Sequence, residues 1–245
     1  RGVGIRSTEE MMANDASITE ENVRIQGAGR MLEGVLAYHD DEQPRFGAIV
    51  AGPHPFLGGG MRNNVVGALL TSLAGDGAAA LAFNYGGVGE SEGGPADWPA
   101  VMSAFWKDGT FPEEHDWAED CGAAIAKLRE WCALPPVLVG YSFGCWTIVR
   151  NLASANARAV VLISPNPTRH GFEPLSQYPV PLLVVHSDND FTCSAPDMAT
   201  WFDSLREPKA RTEIAAGEHF FRGRESDVAR IVLEFLRGHD IARAQ

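Results

Sequence analysis

From Phe46 onward the chain alternates between two kinds of apolar pattern. Phe46–Val50, Ala78–Phe83, Pro136–Val139, Ala157–Ile163 and Pro181–Val185 are short and nearly continuously apolar, as strands are when helices cover both faces of a parallel sheet. Between these runs the spacing changes to three and four. Asn64–Leu73 sets Val65, Val66, Leu69, Leu70 and Leu73 on one stripe, and Trp117–Trp131 does the same with Cys121, Ala124, Ile125 and Leu128. Ser142–Ala155, Ala195–Leu205 and Ser226–Leu236 are predicted helices as well. The last carries Val228, Ile231, Val232 and Phe235 on one face, with Gly238 as its expected C-cap. Strand and helix patterns alternating in this way predict a layered α/β fold.

Two strand candidates, Asn22–Gln26 and Met31–His39, precede this region and read as an edge hairpin. Residues 1–21 are polar and aperiodic, expected as a surface arm; 22–238 are expected as one domain and 239–245 as a tail. Residues 86–116 break the rhythm, with a glycine-rich start followed by Trp98, Phe105, Trp106 and Phe111. A loop this long without secondary structure is uncommon in a compact domain. A small lid insertion over 95–116, with a short helix around Pro99–Trp106, is therefore expected.

Composition narrows the function classes. The 245 residues are 45% hydrophobic, enough for a large core and against a disordered chain. Twenty Lys and Arg against 32 Asp and Glu leave a formal net charge of -12, which argues against nucleic acid or an anionic membrane as partner. Arg222 and Arg224 are the nearest thing to a basic patch, and Glu225 adjoins them. No stretch approaches the roughly 18 apolar residues of a membrane span. The cysteines Cys121, Cys132, Cys145 and Cys193 show neither CxxC nor scaffold spacing, so a reduced, cytoplasmic protein is expected.

The sharpest chemical signal is Gly140-Tyr141-Ser142-Phe143-Gly144, between a strand pattern and a helix pattern. That context turns a short GxSxG match into a nucleophile elbow, where glycines two positions either side of the serine allow a tight bend. A serine hydroxyl needs a general base, and the base needs an orienting acceptor. The strand run Pro181–Val185 leads into His186-Ser187-Asp188-Asn189-Asp190, so Asp188 and Asp190 both qualify as the acid, and spacing does not choose between them. Of the seven histidines, His219 alone follows the acid in a loop after a predicted strand, Arg211–Ala215. One oxyanion donor is expected from the Phe143 amide. The other is expected from the loop Gly52-Pro53-His54-Pro55-Phe56-Leu57, where Phe56 is the first residue after Pro55 with an N–H and Leu57 is next. His54 is expected to serve structurally beneath that turn. The glycine runs lack phosphate-loop or dinucleotide spacing, and no zinc-like cluster occurs, so neither cofactor nor metal is expected.

These motifs together resemble the α/β-hydrolase superfamily over roughly residues 22–238. The likeness is strongest to small bacterial hydrolases related to dienelactone hydrolases and prolyl-oligopeptidase-type esterases. Gly52-Pro53-His54-Pro55 with Gly58-Gly59, Phe83-Asn84-Tyr85-Gly86-Gly87-Val88-Gly89, the elbow and Gly217-Glu218-His219-Phe220 carry it. The resemblance implies a mostly parallel eight-stranded sheet flanked by helices, Ser142 as nucleophile, His219 as base, and Asp190 rather than Asp188 as acid. Gly86 stands where relatives commonly carry arginine, so a rim contact is expected to be missing. Trp98, Trp106 and Trp146, with Phe56 and Phe143, are expected to line a modest apolar acyl site. Trp98 and Trp106 have a second, compatible role in pinning the insertion to the body. The expected partner is a small or medium carboxylic ester. Thioesters come next, small amides or peptides lower, and a catalytically silent binding scaffold is the alternative from another class.

Overall fold

The structure, a computed structural model, describes residues 18–40, 42–94, 98–108, 114–215 and 217–241, without the side chains of Trp98, Ala104, Phe105 and Asp108. Most of the expected arm, Phe111, and residues 242–245 of the expected tail lie outside that set. Eight strands form one sheet in the order β1-β2-β4-β3-β5-β6-β7-β8. They are β1 (Ile18–Gln26), β2 (Met31–His39), β3 (Phe46–Ala51), β4 (Ala78–Phe83), β5 (Val137–Tyr141), β6 (Ala159–Ile163), β7 (Leu182–Ser187) and β8 (Lys209–Ile214). Strand β2 pairs antiparallel with both β1 and β4, and every other pairing is parallel. The predicted eight-stranded, mostly parallel α/β sheet is thus present.

Among the described residues, seven α-helices accompany the sheet: α1 (Asn64–Gly75), α2 (Trp98–Asp108), α3 (Glu114–Leu128), α4 (Phe143–Arg150), α5 (Leu152–Ala155), α6 (Ala195–Asp203) and α7 (Glu225–Gly238). Two cores follow from the two-residue period of the strands. Ile49, Leu81, Leu138, Leu162 and Val184 pack with α3, α4 and α6 residues on one face. Val50, Ala82, Val139, Val161 and Val185 pack with α1 and α7 residues on the other. Both strand faces are covered, which is why the runs read as continuously apolar rather than alternating.

Some boundaries differ from the sequence expectation, each for a local reason. Strand β1 begins at Ile18, so residues 18–21 belong to the sheet and not to an arm. Thr19 and Glu20 pair with Tyr38 and Ala37, and an edge strand can keep such polar side chains in solvent. Helix α7 continues through Gly238, with His239 as its cap. The predicted helix 142–155 is split at Asn151, whose backbone leaves helical geometry (φ -101°, ψ 3°). The Asn151 amide group donates instead to the carbonyls of Ala118 and Thr147, a local competition with helix continuation that asparagine favours.

Candidate active site

Four loops meet beyond the carboxyl ends of β3, β5, β7 and β8, the edge of an open α/β sheet where ligands bind. Ser142 follows β5 with φ 54° and ψ -116°, in a region that costs a non-glycine residue about 1–3 kcal/mol. The bend is held by the Ser142 amide donating to the Ile163 carbonyl at 2.8 Å. Its flanking glycines are required by space. A Cβ on Gly144 would lie 2.1 Å from the Ala51 carbonyl oxygen, and one on Gly140 would lie 2.5 Å from the Gly144 oxygen.

The elbow brings Ser142 Oγ within 3.0 Å of His219 Nε2. His219 is buried, and its Nδ1 lies 2.9 Å from both carboxylate oxygens of Asp190. Asp190 Oδ1 also accepts from the Thr192 amide at 2.8 Å and the Thr192 hydroxyl at 2.7 Å. Burial acts to raise the Asp190 pKa, but the His219 hydrogen bond and charge, with the two Thr192 bonds, outweigh it and hold the carboxyl below its ordinary range. Asp188 is used otherwise: its Oδ1 accepts from the Gly217 amide at 3.2 Å, bracing the loop that carries His219. The Tyr141 hydroxyl donates to the His219 carbonyl at 2.9 Å and anchors the same loop from beneath.

The Gly52–Leu57 loop is closed by short-range bonds. Phe56 N–H donates to His54 Nδ1 at 3.2 Å, and Leu57 N–H to the His54 carbonyl at 3.0 Å. Burial, with Arg169 and His170 nearby, pushes the His54 imidazole down to about 3. The ring is therefore neutral at physiological pH, with an unprotonated Nδ1 to accept that bond. The Phe143 amide is the first of α4, a position with no carbonyl one turn earlier in the helix to receive it.

Beneath these amides lies an aromatic bed. The His54 ring is 5.2 Å from that of Trp117 and 4.8 Å from that of Phe143, and Phe143 lies 5.5 Å from Trp146. Trp146 is buried and also stacks near His170 at 5.4 Å. Helix α2 falls within the insertion expected over 95–116. Val101 and Met102 of α2 pack on the core, whereas Trp106 is 75% exposed. The Trp98 side chain is among those not described.

Gly86 does not leave its rim contact empty. Arg30, from the β1–β2 turn, fills the space a side chain at 86 would take, with its Cζ 2.5 Å from a Cβ built there. Arg30 binds both oxygens of buried Asp120 at 2.9 and 2.7 Å, and Asp120 in turn accepts from the Gly86 amide at 2.8 Å. The arginine comes from 56 positions upstream by residue number (86 − 30), so a local motif could not reveal it. Thr192 and Trp117 were likewise missed. Thr192, two residues past Asp190, has the spacing of an Asx-type turn, which is the signal that could have found it.

The chain belongs to the alpha/beta hydrolase family, whose pattern it matches over residues 54–239. The triad arrangement of Ser142, His219 and Asp190 within this fold supports serine hydrolase activity. An uncharacterized protein of Rickettsia prowazekii (strain Madrid E) is 26% identical over 200 residues, 77% of each chain. Among solved structures, an alpha-beta serine hydrolase homologue from Coxiella burnetii superposes with a TM-score of 0.75 at 24% identity, over 88% of this chain and 97% of that one. A Xanthomonas campestris member of the serine hydrolases, described as without a lid, gives a TM-score of 0.75 at 22% identity, over 89% and 94%. Among the described residues, no helix is long and apolar enough to cross a membrane.

Proposed function

We propose that the protein hydrolyses small to medium carboxylic esters through an acyl-enzyme on Ser142. The observation that carries this reading is the continuous relay from Ser142 Oγ through the His219 ring to Asp190, at 3.0 and 2.9 Å. His219 Nε2 takes the serine proton as Oγ attacks the ester carbonyl, while Asp190 holds the proton on Nδ1. The new oxyanion is stabilised by the Phe143 amide and by the Phe56 amide, which exchanges its 3.2 Å bond to neutral His54 for a charged acceptor. His219 then passes its proton to the departing alkoxide. Water attacks the acyl group with His219 again as base, and Ser142 is regenerated.

The acyl group rests against Phe143 and Trp146 in this reading, and Trp98 and Trp106 are assigned to the lid. Within the family, the Gly52–Pro55 and Gly217–Phe220 motifs favour the dienelactone-hydrolase-like and prolyl-oligopeptidase-type branches. Four free cysteines favour a reducing compartment such as the cytoplasm. The test is a rate profile across short p-nitrophenyl esters, matching thioesters and dipeptide amides, with fluorophosphonate labelling alongside. Esters are expected to lead and the label to require Ser142. A thioester or amide lead would reassign the substrate, and absence of both turnover and label would leave a silent scaffold.

Thr192 is a positioning residue in this scheme. Thr192→Val removes the 2.7 Å hydroxyl bond to Asp190 and keeps the backbone one. One charge-assisted hydrogen bond is worth about 1.5 kcal/mol, so kcat/KM is expected to drop about tenfold. The Asp190 pKa should rise, so inactivation on the acid side should begin at higher pH than in the parent. An unmoved acid limb would show that Thr192 merely packs the loop.

A further inference from the structure

The fold hides its large apolar side chains well, and among the described residues five remain exposed: Leu57, Trp106, Leu134, Phe191 and Phe220. Two of the five lie on the base itself. Phe191, 73% exposed, has its ring centroid 5.0 Å from that of His219, and Phe220, 40% exposed, lies 5.5 Å from the same ring. The two phenylalanine rings are 5.8 Å apart, so the three rings are mutually adjacent. Phe191 follows Asp190 and Phe220 follows His219, so the loops that place the acid and base also place these rings. Phe220 is braced by the Arg222 guanidinium 5.0 Å over its face, which in turn pairs with Glu218 at 3.5 Å. The next residue, Phe221, is fully buried with φ 49°. The chain thus anchors one phenylalanine in the core and holds its neighbour in solvent.

We infer that Phe191 and Phe220 form an apolar subsite for the alcohol moiety, selecting esters of aromatic or bulky alkyl alcohols. This deepens the ester-hydrolase reading and rests on it. The direction of proton transfer fixes the side on which the alcohol lies. His219 Nε2 must deliver its proton to the leaving oxygen when the carbonyl–oxygen bond breaks, so that oxygen lies against His219 and its substituent beside whatever flanks the ring. The acyl portion lies across the elbow toward Phe143 and Trp146. The two phenylalanines still leave apolar ring surface in water and gain burial from an apolar alcohol.

The test compares kcat/KM for ethyl, cyclohexylmethyl and benzyl butanoate, whose alcohols differ little in acidity, in the parent and in Phe191→Ala, Phe220→Ala and the double variant. Ethyl acetate against ethyl butanoate reports acyl selection, Leu134→Ala serves as a remote surface control, and thermal melting reports folding. The parent is expected to favour benzyl over ethyl by about tenfold or more, the effect of partly burying one aromatic ring. Each single variant should cut that ratio severalfold and the double variant should erase it, while the acetate-to-butanoate ratio stays that of the parent. A benzyl-to-ethyl ratio that survives in the double variant overturns the subsite. So does a parent with no preference, or a rate that rises only above the solubility limit of the ester, which would assign the rings to a lipid–water boundary. If the parent cleaves no ester at all, the ester reading itself has failed and takes the subsite with it. Cleavage with an unaltered alcohol ratio removes the subsite alone.

Discussion

Ser142→Ala is expected to lower kcat/KM for a short ester by about four to six orders of magnitude and to abolish fluorophosphonate labelling, with the fold intact. The size follows from removing the nucleophile of a group that acts as a unit, where loss of one member costs nearly as much as loss of all. Little structural change is expected, because the hydroxyl's bond is to His219, and a neutral bond of this kind contributes about 1 kcal/mol. The backbone strain at φ 54° persists in alanine. Ser142→Gly relieves it, so the glycine variant should be as inactive as the alanine one yet more stable by about 1 kcal/mol. Steady-state rates with thermal melting of both variants check this. Retained turnover in Ser142→Ala would remove Ser142 from the mechanism.

The second large effect is expected at Asp190. In Asp190→Asn the side-chain oxygen is expected to stay at the Oδ1 position, because the Thr192 amide and hydroxyl both donate there. The NH2 group then occupies the Oδ2 position and donates toward His219 Nδ1. That bond favours the tautomer with its proton on Nε2, which cannot accept the proton of Ser142. A loss of about four orders of magnitude in kcat is the magnitude for a base held in the wrong tautomer. Imidazole nitrogen shifts by NMR would read the tautomer directly. A fall of less than tenfold would mean that Asp190 does not orient the base. The same substitution has a stability signature. A carboxyl whose folded pKa is depressed contributes stability above the ordinary carboxylate range and loses it as pH falls through the folded value. Parent stability should therefore decline on acidification more steeply than that of Asp190→Asn, which lacks this titration.

Sheet, helices, elbow and histidine loop were all legible in the amino-acid order because each is written in neighbouring residues. The strand runs are apolar over consecutive positions, α1 and α7 repeat at three and four, and Gly140 and Gly144 stand where a Cβ would meet backbone. Boundaries were less legible where polar residues continued an element. Ile18–Glu21 joined β1 through pairing with β2, and Asn151 ended a helix through bonds to Ala118 and Thr147. The exposure of Trp106 on α2 was not legible from its residue type.

By its order of residues alone the protein was bound to a layered α/β sheet carrying a serine at a strained turn, since those features depend on local periodicity and local backbone freedom. Tertiary structure decided which carboxylate meets the imidazole, across 29 positions, and which serine it reaches, across 77. It also decided that an arginine 90 positions from Asp120 would occupy the space beside Gly86, and that Phe191 would stand beside Phe220. These are contacts between the ends of separate strands, made only when the sheet's pairing order brings the loops to one edge. Spacing along the chain carries no such distance.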